Sequence, residues 1–439
     1  MLSQSFRCNA GCLLTLIGLP FATPAPAQFT YETNNNEITI TGYTGGAVVV
    51  TVPDTITGYP VTKIGDAAFQ YSYPLAAINL PSGLTTIGNG AFKHCSALTN
   101  VVIPNGTTNI EAYAFFNSGL RSITIPATVT RIGDGAFNST HLTSIVIPDG
   151  VPAIADDTFV ACNFLEHITI PPSVTSIGRR AFESCYALTD LTLPPGVTDI
   201  GGSAFVATGL TNVFIPASVN YIGDFAFQPC ASLSAITVAE ANPVYRSQDG
   251  VLFDQAMTTL FVFPNGKSGR YRIPDGVTTI YDMAFKFGGE SQLASPTNII
   301  IPATVTSIGA DAFAGCEDLT TVFFLGNAPA EFSDYTFYRS DNVTVYYLPG
   351  TIGWSSTFAG RPTALWNPTV PPGSIGMPTN QFGFNITGTA DIPVTIEAST
   401  NLVGTWEVLQ SLRLNNGAVY FSDPQSGNHP QRYYRLGAP

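Results

Sequence analysis

Short stretches of alternating residues recur along most of the chain, and many of them end at a proline. In LTSIVIP, Ile145 and Ile147 are separated by Val146, and Pro148 follows. Alternation with a period of two places both isoleucines on one face, as a half-buried strand requires. Proline ends such a strand because it has no N–H to donate. The pattern therefore predicts many short strands.

A second extended piece follows each of these strands, and a turn follows it. An example is VTSIG, from Val174 to Gly178, in which the glycine permits a sharp change of direction. An Ala-Phe pair comes next, for which we predict a short helical or 3-10 turn with the Phe ring inside the fold.

The phenylalanine of this pair recurs at a nearly fixed period. The steps are 22 or 23 residues for the first eight, which are Phe69, Phe92, Phe115, Phe137, Phe159, Phe182, Phe205 and Phe227. We expect the next equivalents, at wider steps, to be Phe253, Phe285, Phe313 and Phe337. A fixed period in this range indicates a solenoid, in which stacked coils bury one another's apolar stripes.

Together, the motifs L-x-x-I-x-I-P, V-T-x-I-G and A-F-x-x-C resemble the BspA-type (treponemal-type) leucine-rich repeat over about residues 60–340. The resemblance implies a β-rich solenoid with repeats of 22–32 residues at 60–342, an N-terminal β cap at 28–59 and a C-terminal cap at 343–366. It also implies a secreted or cell-surface bacterial protein that binds an extracellular protein or a polysaccharide in adhesion and catalyses no reaction.

The chain changes character after the array. Residues 367–380 are rich in Pro and Gly and are typical of a linker. Short strand candidates separated by turn residues fill 381–439, which predicts a small antiparallel, β-sandwich-like domain. This part resembles a C-terminal module of secreted verrucomicrobial-type proteins, and export, attachment and spacing remain open as its role.

The hydropathy and the net charge of the chain restrict the protein's predicted location and partners. Residues 1–27 read as a signal peptide cleaved after Ala27, and no later stretch approaches the ~20 apolar residues of a membrane span. With 17 Lys and Arg against 30 Asp and Glu, the net charge is −13. Nucleic acid is therefore excluded as a partner, because it needs clustered cations.

Five cysteines outside the predicted signal each lie three residues after a repeat phenylalanine: Cys95, Cys162, Cys185, Cys230 and Cys316. Only Cys162 and Cys185 belong to adjacent coils, where a disulfide could form. Buried free thiols are the favoured alternative.

An acidic or amide residue precedes most of the Ala-Phe turns, as at Asp66, Asn89 and Asp156. One such residue per coil favours caps on turn amides over calcium binding. No histidine pairs at metal spacing, and no nucleophile or phosphate-loop motif occurs, so we predict no metal, no cofactor and no enzyme. A carboxylate pair for polysaccharide cleavage can come from distant positions and stays an alternative.

In the first strand of each repeat, the positions between the inward residues should face outward as a ribbon of mostly small, neutral, hydrogen-bonding groups. The candidate binding residues on this ribbon are Asn100, Ser122, Thr124, His167, Thr169, Asp190, Thr192, Asn212 and Phe214. A second interpretation of the array is a structural protein whose partner is a further copy of itself.

Overall fold

The first strands of the chain close one end of a solenoid. The computed structural model describes residues 29–287, 295–377 and 381–438, so the predicted signal peptide lies outside the described residues. The strands are β1 (Phe29–Asn34), β2 (Glu37–Tyr43), β3 (Val49–Thr51), β4 (Thr55–Ile56) and β5 (Tyr59–Ile64). β1 and β2 form an antiparallel hairpin, and β2 pairs in parallel with β5. The rings of Phe29 and Tyr43 lie 6.3 and 5.2 Å from the ring of Phe69, so the hairpin shields the first coil.

Two kinds of strand alternate through the regular coils. They are β6 (Ala77–Asn79), β7 (Thr86–Ile87), β8 (Asn100–Val102), β9 (Asn109–Ile110), β10 (Ser122–Thr124), β11 (Arg131–Ile132), β12 (Ser144–Val146), β13 (Ala153–Ile154), β14 (His167–Thr169), β15 (Ser176–Ile177), β16 (Asp199–Ile200), β17 (Asn212–Ile215), β18 (Tyr221–Ile222) and β19 (Ala235–Val238). The two-residue strands pair in parallel from coil to coil, as β7 does with β9 and β15 with β16. The longer strands form a second row, so each repeat is one coil with two strand-bearing sides.

The repeat phenylalanines stack along the interior. From Phe69 to Phe227, consecutive ring centroids are 5.2–5.7 Å apart and the rings are nearly parallel. All these rings are buried. An alanine precedes each of these phenylalanines except Phe159, which follows Thr158, and allows the backbones to approach. The Phe92 N–H donates to the Ala114 carbonyl at 2.7 Å. The predicted β-rich leucine-rich-repeat solenoid is confirmed.

The turns that carry Ala-Phe differ from the helical or 3-10 form that we predicted. No helix occurs in the described part of the array, which has successive β-turns instead. The Ala91 N–H donates to the Gly88 carbonyl and the Lys93 N–H to the Gly90 carbonyl. Most turns have two residues with left-handed backbone angles, here Gly90 (φ 58°) and His94 (φ 62°). Because a right-handed helix cannot continue through such residues, each turn breaks into separate bends.

The long repeats contain an insertion. Their strands are β20 (Tyr245–Gln248), β21 (Val251–Asp254), β22 (Thr259–Val262), β23 (Gly269–Arg272), β24 (Thr279–Ile280), β25 (Pro296–Ile301) and β26 (Ser307–Ile308). β20, β21 and β22 form an antiparallel meander, and Phe253 lies within it. We expected Phe253 to be the next ring of the stack, and this prediction was wrong. Phe263 takes that place, and its ring centroid lies 4.7 Å from that of Phe285. At this junction the Gln228 side-chain amide donates to the Ala284 carbonyl at 2.8 Å.

The array ends in a parallel sheet, and a small antiparallel module follows. The strands are β27 (Thr321–Phe324), β28 (Thr344–Tyr347), β29 (Thr357–Phe358), β30 (Arg361–Leu365), β31 (Phe382–Thr387), β32 (Pro393–Ser399), β33 (Glu407–Arg413), β34 (Ala418–Asp423) and β35 (Tyr433–Gly437), with 3-10 turns at Asn415–Gly417 and Ser426–Asn428. β23, β25, β27, β28 and β30 are neighbours in that order. In the module, β31 pairs with β34, and β32 lies between β33 and β35.

The module covers the outward side of the last coils. Ile300, Phe323 and Tyr346 do not join the array core but pack in a separate apolar cluster with module residues such as Phe384 and Val394. The Trp366 indole N–H donates to the Pro393 carbonyl at 2.7 Å, and its ring lies edge-on to Phe323. The described part of the predicted linker lies against the module, since Thr369 pairs with Thr387 and Gly376 with Gly383.

Candidate functional site: the exposed strand face

The outward side of the longer strands from β6 to β19 is open to solvent, and we call it the strand face. The central residue of each of these three-residue strands points inward and both flanking residues are exposed, as in β8 and β12. All nine candidate residues are exposed: Asn100, Ser122, Thr124, His167, Thr169, Asp190, Thr192, Asn212 and Phe214. The structure therefore brings them to one side of the array, where they occupy successive coils.

The strand face is built from pairs of strands. β3 pairs with β6, β8 with β10, β12 with β14 and β17 with β19, each in parallel register. Ser144 lies opposite His167, and Phe214 lies opposite Thr237. Asp190 and Thr192 are in the expected coil, but their segment is outside the named strands. The row is thus less regular than the pattern of residues predicts.

Open grooves lie beside two of these strand pairs. One groove is lined by residues of the segments 76–82 and 99–104, including Asn79 and Asn100. The other is lined by residues of 167–172 and 190–195, including His167, Thr169 and Asp190. The first groove lies between β6 and β8, which belong to different sheets, and the second lies between β14 and a segment outside the named strands. Backbone and side-chain polar groups therefore meet solvent together there.

Some outward side chains are hydrogen-bonded to one another, and the Asn79 amide donates to the Thr51 hydroxyl at 3.0 Å. The Ser122 hydroxyl donates to the Asn100 Oδ1 at 3.3 Å, and the Ser234 hydroxyl is placed 3.3 Å from the Asn212 Oδ1. His167 and Asp190 form no ion pair within the described residues. The face thus retains donors and acceptors that can pair with a ligand.

Three large apolar side chains project from the same face. Phe214 is 55 % exposed, Val102 66 % and Val146 63 %. Valine is a common strand residue and needs no ligand to explain it. An exposed phenylalanine is costlier to solvate, and exposed apolar groups with a polar rim mark interaction sites.

The cysteines lie inside the array as free thiols. Cys162 and Cys185 are buried and not bonded to each other, since the Cys162 thiol donates to the Phe137 carbonyl and the Cys185 thiol to the Phe159 carbonyl, both at 3.1 Å. Each bond reaches the preceding coil. Burial raises the pKa of the Cys162 thiol to about 11, so its reactive thiolate is disfavoured. The five thiols are therefore part of the buried core and are not accessible to a substrate.

The acidic residues that precede the turns link one coil to the next. Asp66 accepts the Asn89 N–H at 2.9 Å, and Asp156 accepts the Arg179 N–H at 2.7 Å. We expected these carboxylates to cap their own turns, but each accepts from the following coil because the turns are not helical. The described residues contain no group of three or more His, Cys, Asp or Glu that could hold a metal ion.

Sequence reasoning missed one feature of this row of strands, which is that the module covers its last members. The signal was present in the residues: consecutive strands carry a large apolar side chain at an outward position, Ile300, Phe323 and Tyr346, where earlier strands have residues such as Thr124 and Thr169. Continuous apolar strands are typical of sheets buried on both sides. The exposed strand face therefore ends before the coils that the module covers.

Comparison with known proteins agrees with the coil geometry. Stacked short strands with a buried residue ladder define a repeat solenoid, and leucine-rich repeats are one class of such solenoids. The model of the BspA type leucine rich repeat region matches residues 62–186, 153–287 and 278–360. These matches span more than half of the chain, and the protein belongs to this family. None of the described helices is long and apolar enough to cross a membrane.

Solved structures with a similar fold come from several bacteria. A leucine rich cell surface protein of Faecalibacterium prausnitzii is 26 % identical, with 74 % of this chain and 88 % of that chain covered and a TM-score of 0.49. A leucine-rich repeat protein of Bacteroides ovatus is 21 % identical, with 78 % and 99 % covered and a TM-score of 0.49. The pneumococcal vaccine antigen PcpA is 19 % identical, with 73 % and 80 % covered and a TM-score of 0.45. The search of curated proteins finds no match.

Proposed function

We propose that the protein is secreted or displayed on the bacterial surface and uses the strand face to bind an extracellular protein or polysaccharide in adhesion. Membership of the BspA-type family supports a binding role. The observation that carries the proposal is the exposure of Phe214 among polar groups of successive coils. A rigid row of strands presents these groups at fixed spacing, which suits an extended partner.

Binding without catalysis agrees with the chemistry of the face. Its outward groups are mostly hydroxyls and amides, and Asp190 and His167 lie in an open groove. A hydrolase would need two carboxylates converging on one bond. The groove residues supply one carboxylate, that of Asp190. We therefore assign this groove to recognition.

The test is to measure binding of residues 28–439 to immobilised extracellular-matrix proteins, to polysaccharides and to the chain itself. We expect a saturable partner, with binding weakened at least about tenfold in the Phe214→Ala, His167→Ala variant. Tyr221→Ala is the matched control, because Tyr221 is similarly exposed but lies on the two-residue strand β18.

Unchanged affinity in the Phe214→Ala, His167→Ala variant would exclude the strand face as the binding site. Binding only to further copies of the chain would instead favour a self-associating structural protein. Analytical ultracentrifugation over a range of concentrations separates these two functions, since only self-association raises the mass without an added partner.

A further inference from the structure

A second exposed cluster lies on the turns of the first three coils, away from the strand face. We call it the aromatic patch, and it comprises Tyr71, Tyr73, Lys93, His94, Tyr113 and Phe116. Tyr71 is 52 % exposed, Tyr73 57 % and Tyr113 39 %. The three tyrosines therefore present ring faces and hydroxyls to solvent around the half-buried His94 and Phe116.

The rings of the patch are held in place by one another. Tyr71 stacks on His94 with centroids 4.9 Å apart and planes 7° apart. Phe116 lies edge-on to His94 at 5.4 Å and edge-on to Tyr113 at 5.9 Å. These contacts restrict the side chains of Tyr71, His94, Tyr113 and Phe116, which lowers the entropy lost on binding.

The other coils show that folding does not require these rings. The turn position of Tyr71 and His94 is held by Ser139, Ala161 and Ser184 in later coils. The position of Tyr113 is held by Gly90 and Gly135 in the neighbouring coils, and by Arg180 and Phe225 in later ones. All have positive φ, which glycine adopts freely and which costs any residue with a Cβ. The turn can therefore form with small or polar side chains at these positions, and the exposed rings of Tyr71 and Tyr113 are not needed for its backbone conformation.

Polar groups beside the rings point to the chemistry of that ligand. The Lys93 ammonium lies 5.0 Å from the Phe116 ring centroid and 5.8 Å from that of Tyr113. It forms no ion pair with any described residue, in a chain of net charge −13. The Asn117 amide lies 2.9 Å from the His94 Nδ1. Donation by that amide leaves Nε2 as the protonated ring nitrogen, a donor for a ligand.

We propose that the aromatic patch binds an acidic polysaccharide whose sugar rings carry carboxylates. The apolar face of a pyranose ring packs on the exposed tyrosine faces, and sugar hydroxyls pair with the tyrosine hydroxyls. The carboxylate pairs with the Lys93 ammonium, which the protein leaves without an anion. This site is separate from the strand face, so neither proposal depends on the other.

The experiment compares gel retardation and calorimetric titration of residues 28–439 with polygalacturonate and with uncharged hydroxyethylcellulose. We expect polygalacturonate to bind and added salt to weaken it, because the ion pair is exposed to solvent. Tyr71→Ser and Tyr113→Gly should each weaken binding about tenfold or more. Both introduce residues that other coils already have at the same place, and circular dichroism verifies that the variants fold.

Further variants separate charge from stacking and one face from the other. Lys93→Met keeps the apolar stem and should remove the preference for polygalacturonate over hydroxyethylcellulose. Tyr186→Ala, at an exposed tyrosine outside the patch, should bind like the parent. No binding, equal binding of both polymers, or full binding by the folded Tyr71→Ser and Tyr113→Gly variants would overturn the proposal. Loss of binding in Phe214→Ala instead would assign the polymer to the strand face.

Discussion

Single residues with left-handed backbone angles shape every coil. Ala161, at φ 55°, and Ser184, at φ 62°, occupy the same place in adjacent turns. An L-residue pays roughly 1–2 kcal/mol in this conformation relative to its right-handed one. The array repeats this local cost because the alternating bends allow each phenylalanine to reach the interior stack.

Replacing one of these residues by glycine should stabilise the protein. We expect Ala161→Gly to raise the free energy of unfolding by about 1 kcal/mol, because glycine adopts positive φ without the Cβ clash. Ala127→Gly is the control, since Ala127 is exposed and is not among the positive-φ residues. It should lower stability by about 0.5–1 kcal/mol. Urea titration measures both, and two shifts of the same sign would contradict this account.

At the scale of the strand and the turn, the residue pattern predicts one element well and the other poorly. Alternation at Ile145 and Ile147 predicts the strand because inward and outward positions differ in polarity. The Ala-Phe pair predicts a buried ring but not the turn, since small and bulky residues alike take the left-handed positions. Phe253 was mistaken for a phenylalanine of the ring stack because the meander buries it as completely as the stack buries its rings.

The cysteine column joins coils through thiol donors to carbonyls of the preceding coil. Cys95 donates to Phe69, Cys230 to Phe205 and Cys316 to Phe285. Desolvation raises the pKa of Cys95 to about 12 and those of Cys162 and Cys230 to about 11, from an ordinary value of 9.0. Burial in the folded protein therefore favours the protonated thiols.

Stability should consequently fall in alkali. Because the folded-state pKa of Cys162 lies above its unfolded value, its contribution is complete below pH 9 and is lost as the pH rises towards 11. The loss is about 1.4 kcal/mol for each unit of pKa difference. Cys162→Thr should show a smaller alkaline loss, since Thr140 and Thr208 occupy this column elsewhere. Urea titrations from pH 8 to 11 compare the two, and equal pH slopes would contradict the assignment.

Across the whole molecule, the array was predictable and its relation to the module was not. Periodicity identifies coils because every coil repeats the same contacts. Packing of the module on the last coils joins residues far apart in sequence, such as Phe323 and Phe384, and no period marks such a contact. The strand face could likewise be placed from Asn212 and Phe214, but its grooves depend on strand pairing that side-chain alternation does not specify.

The module should keep the array from associating through its last coils. A chain ending at residue 366 would expose Ile300, Phe323 and Tyr346, which are at most 4 % exposed in the full protein. Contiguous apolar surface of this kind favours association in water. We therefore expect sedimentation velocity to show concentration-dependent oligomers for the truncated chain at concentrations where the full protein does not change mass.

Restoring polar outward residues in the truncated chain provides the control. Threonine at all three positions, in Ile300→Thr, Phe323→Thr and Tyr346→Thr, reproduces the outward residues Thr124 and Thr169 of the earlier strands. This variant should sediment as a monomer with the strand content of the array intact, because only the outward side has changed. A truncated chain that stays monomeric without these substitutions would show that the module does not keep the array soluble. The outward side of the last coils would then be a candidate for a second binding surface.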